Sequence, residues 1–156
     1  MILVTIGTHL PFDRLLRAVD PLAESERVVV QCGDGAFRPS GAECVGFLSF
    51  AEFEAHVREA RLVITHAGVG SVVTCLRNSR RPIVVARRAS FGEAADDHQV
   101  AFARRLDAIG LGTVVEDLTE LPQVVAEHDG SSVSVRAEPA LVNDLRGFIA
   151  SSVARR

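Results

Sequence analysis

"ITHAGVGSVVTCL", Ile64 to Leu76, begins as a β-branched apolar run and ends in a helical pattern. Between the two lie a histidine, two glycines and a serine. A strand that passes into a helix through small residues suits an anion. The first N–H groups of a helix lack intrahelical partners, the helix dipole adds positive charge there, and glycine allows close approach to the backbone. His66, Ala67, Gly68, Val69, Gly70 and Ser71 therefore form a candidate phosphate cradle, with Ser71 able to cap the helix or to offer its hydroxyl. The competing reading is a tight turn that needs no ligand. Other phosphate and nucleophile patterns do not fit. A Walker A loop needs a lysine, and all 17 basic side chains are arginine. The third glycine of GxGxxG is replaced by Val73, and no GxSxG occurs.

Outward from this stretch, apolar runs alternate with amphipathic ones. "ILVTI" (2–6), "RVVVQC" (27–32), a short run around 44–47, "RLVIT" (61–65), "PIVVA" (82–86) and "LGTVVE" (111–116) read as strands. Helices are expected over 12–23, after Ser49, over 71–77, over 96–110, near 120–128 and over 139–153. Ser49 with Glu52 forms a capping-box pattern, and Phe50, Phe53 and Val57 are spaced for one helical face. Apolar strands separated by amphipathic helices predict a parallel sheet covered on both faces. In such sheets ligands bind beyond the carboxyl ends of the strands, which selects the loops after Ile6, Thr65 and Ala86.

The chain of 156 residues is expected to form a single domain over 1–156. No apolar run approaches the roughly 18 residues of a membrane span. Met1 leads straight into "ILVTI" without a basic leader, so a cytoplasmic location is expected. A net charge of −3 argues against nucleic acid as a partner. Cys32, Cys44 and Cys75 form no CxxC pair and read as free thiols. The five histidines show no metal-ligand spacing, and no metal is expected.

Three further motifs fall at the same sheet edge. Gly7-Thr8-His9 follows the first strand and offers a tight turn, a hydroxyl and a backbone donor. Asp96-Asp97-His98-Gln99 opens a helix; capping accounts for the acids, while His98 and Gln99 can grip hydroxyls. Arg87-Arg88 could meet an anion, though such pairs are usually solvated. Arg104-Arg105 is expected to face solvent.

In order and spacing, "ILVTIGTHLPFDRLLRAVD", "ITHAGVGSVVTCLRNSRRPIVVA" and "DDHQVAFARRL" resemble the C-terminal domain of glycosyltransferase family 28, in particular its short stand-alone members. The resemblance implies a Rossmann-like α/β domain equivalent to the C-terminal half of a GT-B enzyme, binding a UDP-sugar without a metal or other cofactor. It implies that Ala67 to Ser71 hold the diphosphate, with Gly7 and Thr8 across from them, that Phe47 and Leu48 bracket uracil, and that His98 and Gln99 contact the donor sugar. Relatives often carry a ribose-binding glutamate where this chain has Thr74. The acceptor half would be a separate, membrane-associated subunit that brings a lipid-linked saccharide for polysaccharide or glycolipid synthesis. The catalytic base is left unassigned, His9 being the local candidate. The last helix, about 138–154, with Leu141, Leu145 and Phe148 on one stripe, could dock that partner or pack on its own sheet. The alternative function is a non-catalytic UDP-sugar-binding or regulatory protein of the same fold. A nicotinamide oxidoreductase is disfavoured by the missing third glycine.

Overall fold

Six short parallel strands form one sheet in the order β3-β2-β1-β4-β5-β6. They are β1 (Ile2–Thr5), β2 (Val28–Gln31), β3 (Glu43–Val45), β4 (Leu62–His66), β5 (Ile83–Val85) and β6 (Thr113–Val114). The computed structural model describes residues 1–8, 10–33 and 36–128, with Gly130 and Gly147. His9 and, apart from Gly147, the helix expected over 139–153 lie outside these described residues.

The strands alternate between two cores, as a period of two residues requires. Ile2, Val4 and Ile6 point to one face with Val28, Val30, Leu62 and Ile64. There α1 (Asp13–Val19) supplies Leu15, Leu16 and Val19, and α5 (Leu121–Glu127) supplies Leu121 and Val125. Leu3, Val29 and Val63 point to the other face, under Phe53 and Val57 of α2 (Phe50–Glu59) and Cys75 of α3 (Val69–Arg77). Next along, Val84 packs with Val72 and Leu76 of α3 and with Phe102 and Leu106 of α4 (His98–Ala108). Both faces are apolar because both are covered, as the pattern predicted, and the arrangement is the Rossmann-like one that the family resemblance implied. The strand order reverses between β1 and β4, so their carboxyl ends open the crevice where ligands bind in such sheets.

Local structure departs from expectation in a few places. The helix expected over 12–23 ends as α-helix at Val19 and continues as a 3₁₀ turn over Asp20–Glu24. Pro21 has no N–H to donate to the carbonyl four residues back, which ends the α-helical ladder. The Ser49–Glu52 capping box is present, with Glu52 N–H donating to Ser49 Oγ and Ser49 N–H to the Glu52 carboxylate at 2.8 Å. Phe50, placed on one helical face with Phe53 and Val57 by its spacing, is 62% exposed while they are buried. The first turn of α2 stands at the carboxyl edge of the sheet, where no strand covers it.

Candidate functional site

The stretch 64–76 packs a strand end, a tight turn and a helix start into few residues. Gly68 N–H donates to His66 O at 2.7 Å, closing the turn, and Gly68 is the N-cap of α3. The helix therefore begins at Val69, two residues before the expected Ser71. Ser71 does not cap it, because Gly68 occupies that position and Ser71 already lies inside the first turn. This leaves the N–H groups of Val69, Gly70 and Ser71 without intrahelical acceptors at the sheet's carboxyl edge.

His66 decides why two glycines are needed. Its imidazole sits between the turns after β1 and β4. A β-carbon on Gly68 would lie 2.1 Å from His66 Nε2, and one on Gly7 would lie 2.8 Å from the same atom. Gly7 also adopts φ +77°, a left-handed conformation that penalises any side chain. The imidazole pKa falls to about 4, chiefly from burial, then from the Arg87 charge, with the Thr5 backbone opposing. Nδ1 is buried and makes no hydrogen bond. The ring is thus neutral at physiological pH. A histidine that resists protonation in the folded state costs stability as pH falls from about 6.5 toward 4, because only the unfolded chain gains the proton. NMR titration of the ring carbons is expected to show His66 neutral at pH 5; a midpoint near 6.5 would contradict the enclosure described.

A cleft of about 780 Å³ lies over these turns. Of the residues expected to hold diphosphate, Gly7, Thr8, His66, Gly68, Gly70 and Ser71 line it. Ala67 and Val69 do not: they pack with the core beneath α3. Phe47 and Leu48 line the cleft, Phe47 standing 70% exposed at its rim and Leu48 buried in its wall. Thr74 lies outside the lining. It is 5% exposed, and its hydroxyl donates to Gly70 O at 2.9 Å, one turn back in α3.

His98 and Gln99 line the opposite wall at the start of α4. The two acids before them take different partners. Asp96 accepts from the His98 backbone N–H and contacts His98 Nδ1, which directs the ring's Nε2 away from it. Asp97, the N-cap position, makes no side-chain cap and accepts instead from Ala89 N–H at 2.9 Å. Gln99 Oε1 accepts from Arg87 N–H at 3.2 Å. A backbone N–H can bond only to the oxygen, so the Gln99 amide is oriented with its NH₂ as the unengaged end.

The expectation that Arg87-Arg88 is solvated fails for Arg87, which is 4% exposed. Its guanidinium donates to the carbonyls of Ile6, Leu10, Pro11 and Glu93. Burial lowers its pKa from the ordinary arginine value, and Glu93 opposes that shift. The Glu93 carboxylate, also buried, accepts from Arg14 Nε at 2.8 Å, Arg14 Nη2 at 2.9 Å and Arg88 N–H at 3.1 Å. Arg88 pairs with Glu116, as does the exposed Arg104. Sequence reasoning placed Arg87 at this edge but missed Thr5, Gln31 and Glu93 as cleft residues. For Thr5 and Gln31 a signal existed, since each is a polar residue at the carboxyl end of an otherwise apolar strand.

Among the described residues, no group of three His, Cys, Asp or Glu side chains could hold a metal ion, and no helix is long and apolar enough to cross a membrane. A subunit of UDP-N-acetylglucosamine transferase, ALG13 of Eremothecium gossypii, is 36% identical over 97 residues, covering 61% of this chain and 46% of its own. The UDP-N-acetylglucosamine–N-acetylmuramyl-(pentapeptide) pyrophosphoryl-undecaprenol N-acetylglucosamine transferase of Rhodospirillum rubrum is 32% identical over 106 residues, 65% of this chain and 26% of its own. This chain thus spans less than half the length of either relative. The calicheamicin glycosyltransferase CalG4, a GT-B enzyme, superposes with a TM-score of 0.61 at 19% identity, over 94% of this chain and 37% of CalG4. The fold is therefore that of one GT-B half. The family model for the glycosyltransferase family 28 C-terminal domain matches residues 1–139, and the chain belongs to that family.

Proposed function

We propose that this chain is the donor-binding, catalytic half of a two-component UDP-sugar glycosyltransferase. Its other half would be a membrane-associated subunit that presents a lipid-linked saccharide, recruiting this chain to the cytoplasmic face. The observation that carries the reading is the His66–Ser71 turn. It starts a helix whose first N–H groups have no intrahelical acceptors, beside a cleft lined by Gly68, Gly70 and Ser71 and, on its far wall, by His98 and the oriented Gln99 amide. Relatives named as a UDP-N-acetylglucosamine transferase subunit and as a transferase to a pyrophosphoryl-undecaprenol acceptor support both the donor and the acceptor class.

The chemistry follows from charge. An acceptor hydroxyl attacks the anomeric carbon, the bond from that carbon to the diphosphate oxygen breaks, and UDP leaves with the electron pair. Negative charge grows on the diphosphate, where preorganised N–H groups at a helix start lower the barrier. The proton passes to a base carried by the partner half, whose closure also excludes water and orients the acceptor. Neutralisation by backbone dipoles removes the need for a metal.

One feature favours the non-catalytic alternative. Thr74, where a ribose-binding acid would stand, spends its hydroxyl on Gly70 O. The two readings separate in one assay. The chain is co-expressed with its membrane partner and supplied with a panel of UDP-sugars and a lipid-linked acceptor. Transfer is expected, lost in Gln99→Ala and unchanged by EDTA. Binding of UDP-sugar without transfer would favour the alternative, and transfer intact in Gln99→Ala would remove Gln99 from the site.

A further inference from the structure

We propose that Arg87 is a positioning residue for the diphosphate end of the donor site, an inference that rests on the nucleotide-sugar reading above. Its guanidinium donates to Ile6 O and Leu10 O, to Pro11 O at 3.3 Å and to Glu93 O at 3.1 Å. Ile6 and Leu10 flank Gly7 and Thr8 in the chain, so one planar fork closes both ends of the turn after β1. The backbone N–H of the same residue fixes Gln99 on the opposite wall. Arg87 thus sets the spacing between the two walls of the cleft.

The surrounding contacts hold the fork in place. The Phe12 ring lies 5.2 Å from the Arg87 guanidinium and 5.3 Å from that of Arg14. Arg14 donates to Ala86 O at 3.0 Å and forms the bidentate pair with Glu93, tying α1 to the loop after β5. A lysine would keep the charge but not the rigid fork that reaches several carbonyls at once.

The charge has a second consequence. The Glu93 carboxylate is taken up by Arg14 and the Arg88 N–H, while the Arg87 guanidinium faces backbone carbonyls. Among the described residues, Arg87 is the one arginine that lines the cleft. Its field reaches the turn after β4, where it disfavours a proton on His66. An anion bound at that turn meets the same field with the opposite sign.

UDP and uridine distinguish this role from a purely structural one, because they share the nucleoside and differ in the diphosphate. Both are titrated by NMR into wild type, Arg87→Lys and Arg88→Ala, the last altering a neighbouring exposed ion pair. Arg87→Lys is expected to weaken UDP by about tenfold or more and uridine by less than about twofold; Arg88→Ala is expected to leave both unchanged. Equal losses for the two ligands, or no loss, would overturn the inference. Should the lysine variant fail to fold, the Arg87 Nε–H signal of wild type decides. It is expected to move with UDP and not with uridine, and an unmoved signal overturns the inference. Wild type that binds no UDP would instead sink the proposed function, a result read before any variant is made.

Discussion

Gly68→Ala is expected to weaken UDP binding by about tenfold or more and to lower stability by about 1–3 kcal/mol, the usual cost of overpacking. The new methyl would lie 2.1 Å from His66 Nε2, 2.7 Å from Cε1 and 2.9 Å from Cδ2. The ring cannot retreat toward the other turn, because Gly7 already closes that side and owes its own lack of a side chain to the same imidazole. Two responses remain. Either the ring swings into the cleft and fills ligand space, or the first turn of α3 shifts and carries its N–H groups out of position. Both remove diphosphate binding. The double variant His66→Ala/Gly68→Ala deletes the clashing ring and is expected to recover stability relative to Gly68→Ala, measured by urea denaturation. A single variant as stable and as tight-binding as wild type would contradict the wedge.

The second large effect falls on Glu93. Glu93→Ala removes the carboxylate that pairs with Arg14 and whose charge favours the buried Arg87 cation, leaving the Arg14 guanidinium without its counter-charge. Removing one partner of a buried pair costs about 3–5 kcal/mol, far more than such a pair contributes over an apolar replacement. Arg14→Ala is expected to cost less. The Arg14 side chain is 24% exposed against 8% for Glu93, and its loss leaves Glu93 still accepting from the Arg88 N–H. Denaturant midpoints of the two variants test the asymmetry. Equal losses, or a Glu93→Ala loss below about 1 kcal/mol, would show that the knot is solvated.

Much of this molecule was legible before its structure. The strands read correctly because parallel strands covered on both faces must be apolar throughout, as Val28–Gln31 and Leu62–His66 nearly are. The capping box at Ser49 read correctly because its partners lie three residues apart. Errors arose where the deciding partner was distant in the chain. Arg87 looked solvated because its acceptors at Ile6, Leu10 and Pro11 lie more than seventy residues away. Phe50 fits the apolar spacing of α2, yet its exposure depends on where the sheet ends.

The sequence by itself determined the alternation of strands and helices, the sheet edge at which the cleft opens, and the glycine turn in "ITHAGVGSVVTCL". Those follow from local periodicity and from the conformational freedom of single residues. Only the tertiary structure decided why the glycines are there and how the walls are held. His66 needs the absence of two β-carbons, on Gly7 and Gly68, that come together only when β1 and β4 pair side by side. Arg87 can be buried as a cation only because folding gathers four carbonyls around one planar fork, and no local pattern encodes that convergence.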